Sequence, residues 1–132
     1  MKRFSLFLTL LVGLTTFTFA QQKSVEDEKF VFLNNGATIG MITKSVLKAD
    51  KQRLKLTDQQ LPKARQVILD AVVKYNDGVK KLKSTGMNQK KLRTLAVGIE
   101  DDKVRAYKSI LTPDQYNTLV TQHKKVYPES KV

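Results

Sequence analysis

A five-residue pattern, Leu-Thr-x-x-Gln, occurs twice in this chain and constrains its fold more than any other feature. It occupies residues 56–60 (LTDQQ) and 111–115 (LTPDQ), and each copy opens a stretch whose apolar residues recur at steps of three and four. A Thr followed three residues later by Gln is the pattern of a capping box. In such a box the hydroxyl accepts a backbone N–H of the first turn and the amide oxygen accepts the N–H of the Thr. The pattern therefore predicts two helix N-termini.

The two copies differ in the residues between Thr and Gln. The second copy places Pro113 at the first helical position and Asp114 in the first turn, where a fixed φ and a negative charge both favour helix initiation. In the first copy Pro62 comes later than this position, which predicts a distorted or delayed helix start. The motif and cap residues are Leu56, Thr57, Gln60, Leu111, Thr112 and Gln115.

Apolar periodicity predicts an all-α fold, an antiparallel helical hairpin with short flanking helices. The two long helices follow Thr57 and Asn88, and the short connection at residues 84–88, with Gly86, makes them antiparallel neighbours. The flanking helices are expected at residues 37–53 and from Thr112 to before Pro128. The inward faces are predicted to comprise Leu61, Ala64, Ile68, Ala71, Val72, Tyr75, Val79 and Leu82 on the first long helix, and Leu92, Leu95, Ala96, Ile99, Ala106, Tyr107 and Ile110 on the second.

The first twenty residues have the organisation of a secretory signal peptide. Lys2 and Arg3 precede an apolar stretch at residues 4–19, and Thr18 and Ala20 are the small residues of a cleavage site after Ala20. The alternative is an uncleaved membrane anchor, but the stretch is short for a span and rich in Thr. We therefore expect an exported, periplasmic protein. Its parts are a signal peptide (1–20), a flexible or loosely docked N-terminal segment (21–36) and a helical domain (37–127).

An apolar run at residues 30–33 (FVFL) precedes a turn signal at residues 34–36 (NNG). The run is too short for periodicity to distinguish a strand, a helix end or an adhesive surface patch. Because large apolar side chains are usually buried, we favour Phe30 and Phe32 packing back onto the helical core.

Together with the export signal, the two motif copies resemble the LTXXQ-motif family, the group of Spy- and CpxP-like periplasmic proteins. The resemblance covers residues 50–125. It implies a helical hairpin that forms a cradle-shaped dimer and binds unfolded clients without ATP or helps to sense envelope stress. Some members of that family carry His-based metal sites or Met-rich loops. Only Met41 and Met87 follow the signal here, so the resemblance does not extend to metal sensing.

The formal net charge is +12, from 24 basic and 12 acidic residues. In an exported protein this excess points away from nucleic acid and towards acidic polypeptide segments, lipid headgroups or lipopolysaccharide. The alternative is that Lys residues simply solvate the exposed helix faces. The candidate client-binding residues are Lys63, Lys74, Arg93, Arg105 and Lys108.

Residues suited to catalysis or cofactor binding are scarce. There is no Cys, and the single His, His123, lies in the terminal helix without the Gly-rich elbow of a hydrolase. His123 is therefore expected at the surface or the edge of the core. The acidic run at residues 100–102 lacks the Gly of a calcium loop, and no phosphate-binding loop is present. No catalytic, cofactor-binding or metal-binding residue is predicted, and we do not expect an enzyme.

Three functions remain in order of preference. The first is an exported, ATP-independent binding protein of chaperone or envelope-stress type, whose partners are unfolded or amphipathic polypeptides and a second copy of the chain. The second is a structural module that binds anionic envelope surfaces through Lys and Arg. The third, an exported enzyme, lacks a reactive constellation.

Overall fold

The computed structural model describes residues 25–33 and 35–132. Within these residues it contains four α-helices, which confirms the predicted all-α fold: α1 (Ile39–Leu54), α2 (Leu61–Thr85), α3 (Gln89–Tyr107) and α4 (Pro113–Val126). The predicted signal peptide lies outside the described residues. None of the helices in the described ranges is both long and apolar enough to cross a membrane.

Polar caps and left-handed residues set the ends of the helices. Thr38 caps α1 by accepting the N–H of Met41 at 3.2 Å, and Asn88 caps α3 by accepting the N–H of Lys91 at 2.8 Å. Gly86, with φ of 108°, ends α2 and permits the short connection to α3. As a result α2 and α3 form the antiparallel pair that the sequence predicts.

The core lies along α2, because α1 and α3 both pack against this helix while having little backbone contact with each other. The α2 side chains Ala64, Ile68, Val72 and Val79 are almost fully buried. The flanking helix α1 thus covers part of this apolar stripe within the same chain.

The buried face of α3 differs from the prediction. Ile99 and Tyr107 are buried as expected, but Ala106 is exposed. Two charged residues of the same helix, Asp101 and Lys103, are buried with Val104. Periodicity could not place these charges inside, because their burial depends on partners far away in the sequence.

Residues 25–33 and 35–38 precede α1, and Val31 among them contacts Asn76 and Lys83 of α2. A β-bridge joins Lys29 to Thr38, and the N–H of Phe30 donates to the carbonyl of Ala37 at 2.8 Å. Phe30 is buried as expected, whereas Phe32 is 51% exposed, so the expectation that both rings join the core is wrong for Phe32. Phe32 lies in the turn at residues 31–33, and its ring makes an edge contact with that of Phe30, with centroids 6.3 Å apart.

Candidate functional site

Both copies of the motif form the hydrogen bonds of a capping box. Thr112 Oγ1 accepts the N–H of Gln115 at 3.3 Å, and Gln115 Oε1 accepts the N–H of Thr112 at 2.9 Å. The equivalent distances between Thr57 and Gln60 are 3.3 and 3.0 Å. In this first copy residues 58–60 form a turn and α2 begins only at Leu61, which agrees with the delaying effect expected of Pro62. Gln60 therefore occupies the N-cap position of α2, and the prediction that Thr57 caps this helix directly is wrong.

The two motif glutamines also bind each other. Gln60 Nε2 donates to Gln115 Oε1 at 2.8 Å, and Gln115 Nε2 donates to Gln60 Oε1 at 3.0 Å. Each Nε2 also reaches a backbone carbonyl before the other motif: Gln60 reaches Ile110 and Gln115 reaches Leu54, both at 3.1 Å. We call this arrangement the motif clasp. It joins the α1–α2 turn to the α3–α4 turn, and the leucines of the two motifs, Leu56 and Leu111, are buried.

The capping boxes could be predicted from the sequence, but the clasp was missed. A capping box needs only residues three apart, whereas the two glutamines are 55 residues apart. The one available signal was the repetition itself. Two boxes that share the same Leu and Gln are compatible with a shared, symmetric pairing, which capping alone does not require.

A buried ionic network lies between α1 and α3, centred on Asp50. Arg53 binds one carboxylate oxygen through Nε and a second guanidinium nitrogen, both at 2.9 Å. Tyr107 Oη donates to the other oxygen at 2.7 Å, and Lys103 Nζ lies 3.4 Å from it. Burial and then the negative charge of Asp50 raise the pKa of Tyr107, so its hydroxyl remains a donor. Sequence reasoning identified none of these partners.

A second buried polar cluster joins Asp101, His123 and Ser130. His123 Nε2 lies 2.7 Å from Asp101 Oδ1 and 3.1 Å from Ser130 Oγ, and Ser130 Oγ donates to the same carboxylate oxygen at 2.6 Å. His123 is therefore buried, not at the surface or core edge as expected. In a hydrolytic triad the acid and the serine use opposite ring nitrogens. Here both face one nitrogen, so the cluster lacks the geometry of a proton relay.

Hydrogen bonds define the ionisation of Asp101. Burial acts to raise the pKa of this carboxyl group, but hydrogen bonds from Ser130, from His123 and from the N–H of Lys131 outweigh it, and the pKa lies below its ordinary value. Lys131 donates at 3.1 Å. The cluster thus attaches residues 130 and 131 to α3.

The five candidate client-binding cations are dispersed over the surface. Lys74 and Arg105 are brought together, because Asp102 lies 3.8 Å from Lys74 and 3.0 Å from Arg105. Lys63, at the start of α2, and Lys108, after α3, lie at the same end of the hairpin as the motif clasp.

Arg93 occupies a separate position near the start of α3. Its guanidinium binds Glu129 at 2.5 Å, donates to the carbonyl of Val126 at 2.8 Å and lies 4.7 Å from the ring centre of Tyr127. Arg93 therefore holds the residues after α4, and the structure does not group it with the other four candidates.

Two exposed apolar side chains, unlike the dispersed cations, lie next to each other in the sequence. Phe32 and Leu33 are 51% and 47% exposed in the turn between Lys29 and Thr38. This turn, residues 31–33, is named here the apolar turn. Both backbone polar groups of Val31 are hydrogen-bonded to α2. Asn76 Oδ1 accepts its N–H at 2.9 Å, and Lys83 Nζ donates to its carbonyl at 3.1 Å. The sequence singled out this run but left its role open.

Two of the cavities between the helices share lining residues. One, of about 360 Å³, lies over α2 between α1 and α3, and the other, of about 390 Å³, lies towards α4. Both are lined by Glu100, Lys103 and Tyr127. Neither was predicted from the sequence, because a cavity depends on how helices diverge.

Metal-binding groups are not assembled in the described part of the chain, where no cluster of three or more His, Asp or Glu side chains could hold an ion. Comparison of the chain with protein-family models, with curated proteins and with solved structures gave no match.

Proposed function

We propose that this protein is an exported, ATP-independent binding protein of chaperone type, which holds unfolded polypeptide segments in the periplasm. The observation that carries the proposal is the apolar turn, which presents Phe32 and Leu33 to solvent. Large apolar side chains that remain exposed beside each other are typical of interaction sites. An unfolded chain offers apolar side chains that can cover them.

The surroundings of the apolar turn favour acidic segments. Lys83 contacts the backbone of the turn, whereas the charge of Lys80 is offset by Glu28, 3.7 Å away in the segment that leads into the turn. Lys29 and Lys44 are exposed on the neighbouring elements. Positive charge attracts an acidic client at long range, and apolar contact then retains it, so that holding the client needs no cofactor.

The experiment that tests the proposal is an aggregation assay on a chemically unfolded, acidic client protein. The chain lacking residues 1–20 is expected to suppress aggregation at substoichiometric concentration. The double variant Phe32→Ser, Leu33→Ser is expected to lose most of this effect. Met87→Ser is the matched control, because Met87 is similarly exposed but lies in the α2–α3 connection. Equal suppression by the double variant and by the control would contradict the proposed site.

The dispersal of the candidate cations favours a second function, a structural module that binds anionic envelope surfaces. Lys63, Lys74, Arg93 and Lys108 lie at several places on the surface, as a module that contacts a broad anionic layer would allow. Binding to vesicles with anionic lipid that weakens with salt, without any effect on client aggregation, would establish this function over the first.

Export is itself a separate part of the proposal. It depends on Lys2, Arg3 and the Thr18-x-Ala20 site. N-terminal sequencing of the protein recovered from the periplasm is expected to begin at Gln21. A chain that still begins at Met1 would show that the segment is not cleaved.

A further inference from the structure

The dipeptide Asn35-Gly36 lies on the surface between the apolar turn and α1. Asn35 is exposed, and Gly36 has φ of 79°, a conformation that Gly adopts without strain. The pair also places an electrophile close to a nucleophile. The amide carbon of Asn35, Cγ, and the backbone nitrogen of Gly36 are separated by few bonds and can close a five-membered ring.

Two features of the structure favour this ring closure. The first is access, because Gly36 has no side chain to shield its nitrogen, and a Cβ placed there would meet nothing within 4 Å. The second is a hydrogen bond, in which the N–H of Ala37 donates to Asn35 Oδ1 at 3.1 Å. A donor on this oxygen stabilises the negative charge that develops there when a nucleophile adds to Cγ.

We propose that Asn35 is a site of spontaneous deamidation, which converts this position to a mixture of aspartate and isoaspartate. The Gly36 nitrogen loses its proton and attacks Cγ, the bond between Cγ and Nδ2 breaks, and Nδ2 gains a proton and leaves as ammonia. Water then opens the cyclic imide. Opening at Cγ gives an ordinary aspartate, and opening at the backbone carbonyl carbon gives isoaspartate, whose main chain runs through Cγ. One water is consumed for each ammonia released.

The isoaspartate product changes the contacts that hold this part of the chain. The main chain gains one methylene between Phe30 and Ala37, which are joined by a hydrogen bond of 2.8 Å. The Asn35 oxygen that accepts the N–H of Ala37 becomes part of the main chain. We therefore expect the bridge between Lys29 and Thr38 to loosen while the four helices remain folded. Faster hydrogen exchange at the Phe30 amide measures this change, and unaltered exchange would contradict it.

The reaction does not depend on the proposed function, but one consequence of it does. Either product carries a new negative charge two residues after the apolar turn. If the protein holds acidic clients, the deamidated form is expected to bind them more slowly, because like charges repel. The two ideas fail separately. Absence of client binding by fresh and aged protein would contradict the chaperone function alone, since deamidation is read from mass and isoaspartate content.

The first experiment follows each Asn of the folded protein over days in mildly alkaline buffer. Peptide mapping by mass spectrometry locates each change of amide to carboxyl, and an isoaspartate methyltransferase assay detects isoaspartate. Asn88 is the matched internal control, because it is exposed and its Oδ1 also accepts an N–H, from Lys91 at 2.8 Å, but Gln89 follows it. Asn35 is expected to react at least about tenfold faster, or about 1.4 kcal/mol lower in activation free energy, since the Gln89 side chain shields the attacking nitrogen. Equal rates would overturn the proposal.

The second experiment separates the contribution of the fold from that of the sequence. The same protein is aged in guanidinium chloride, where the Asn-Gly pair reacts without folded structure around it. Asn35 is expected to react in the folded protein as fast as in the unfolded chain, or faster. A slower reaction in the folded protein would overturn the role of the Ala37 hydrogen bond, and no reaction there would overturn the site itself.

The variant Asn35→Gln confirms the position. Its amide remains available to solvent, but ring closure on Gly36 would need a six-membered ring, so no isoaspartate is expected from the peptide that contains residue 35. Isoaspartate that persists in this variant would come from Asn34 and would overturn the assignment. Circular dichroism checks the fold. If the variant does not fold, the comparison of Asn35 with Asn88 in the unaltered protein decides.

Discussion

At the scale of single residues, Gln60 and Gln115 each serve two purposes. The amide oxygen accepts the N–H of the Thr in its own motif and an N–H of the other glutamine, and the amide nitrogen donates to the other glutamine and to a backbone carbonyl. Replacing either residue therefore weakens a helix start and also leaves the other glutamine without its partner. The two effects are coupled through the motif clasp.

This coupling predicts non-additive substitutions. Gln60→Ala and Gln115→Ala are each expected to lower the free energy of unfolding by about 1–3 kcal/mol, because each leaves half-buried polar groups without partners. The double variant is expected to lose less than the sum, since the second substitution has fewer bonds left to break. Urea unfolding measures all three. Gln59→Ala, an exposed position of the same motif, is the control and should change stability by less than about 0.5 kcal/mol. Additive losses would contradict the clasp.

The lowered pKa of Asp101 predicts how the stability of the fold depends on pH. Because its pKa in the folded chain is below its ordinary value of 3.8, the folded chain binds this proton more weakly than the unfolded chain. The carboxylate therefore stabilises the fold fully above the unfolded pKa, and this contribution is lost as pH falls below 3.8 and through the folded pKa. The stability difference between the protein and Asp101→Asn should consequently shrink from about pH 5 to about pH 3.

Urea unfolding at several pH values measures this difference. Asp58→Asn, at an exposed position of the first motif, is the control for general effects of removing a carboxylate. A difference between the protein and Asp101→Asn that stays constant down to about pH 3 would show that the hydrogen bonds at Asp101 do not lower its pKa.

At the scale of elements, α2 and α3 show how far sequence reasoning reaches. The stripe of Ile68, Val72 and Val79 on α2 was predicted because apolar spacing alone places it inside. On α3, Asp101 and Lys103 are buried because Ser130 and Asp50 bind them from distant parts of the chain. The local spacing of apolar residues is sufficient to predict the helices and the hairpin. Paired polar groups, the motif clasp and the cavities require the tertiary arrangement.

The approach of α2 to α3 can be tested with two glycines. A Cβ at Gly78 would lie 2.6 Å from a methyl group of Leu95, whereas a Cβ at Gly98 would have no atom within 4 Å. Replacing a helical Gly by Ala favours the helix by roughly 0.5–1 kcal/mol. Gly98→Ala is expected to gain about that amount. Gly78→Ala should gain less or lose stability, because Leu95 must move. Thermal or urea unfolding compares them, and a larger gain at Gly78 would contradict this helix packing.

At the scale of the whole molecule, the positive charge and the apolar turn act over different distances. The net charge of +12 belongs to the whole chain, and the candidate cations are not gathered into one patch. Phe32 and Leu33, by contrast, offer contact at one place. In the proposed function, the dispersed charge therefore governs how fast an acidic client arrives, and the apolar turn governs how long it stays.

This separation predicts that salt and charge reversal change mainly the association rate constant, whereas removal of the apolar side chains changes mainly the dissociation rate constant. Raising ionic strength from 0.01 M to physiological shortens the Debye length from about 30 to about 8 Å, so association with an unfolded acidic client should slow by roughly tenfold. Dissociation should change less, because salt does not screen apolar contact. Reversing Lys63, Lys74 and Arg105 to Glu should also slow association, while Phe32→Ser with Leu33→Ser should mainly speed dissociation. Stopped-flow binding measures both rates, and circular dichroism verifies helicity.

The matched control reverses three other exposed lysines, Lys90, Lys124 and Lys125, and so changes the net charge by the same amount. If the charge of the whole molecule steers the client, both triple variants should slow association to a similar extent. Slowing by the first set alone would instead make Lys63, Lys74 and Arg105 points of contact with the client. An association rate that responds to neither salt nor either set of reversals would remove the electrostatic half of the mechanism, and retention of clients would then depend on the apolar turn alone.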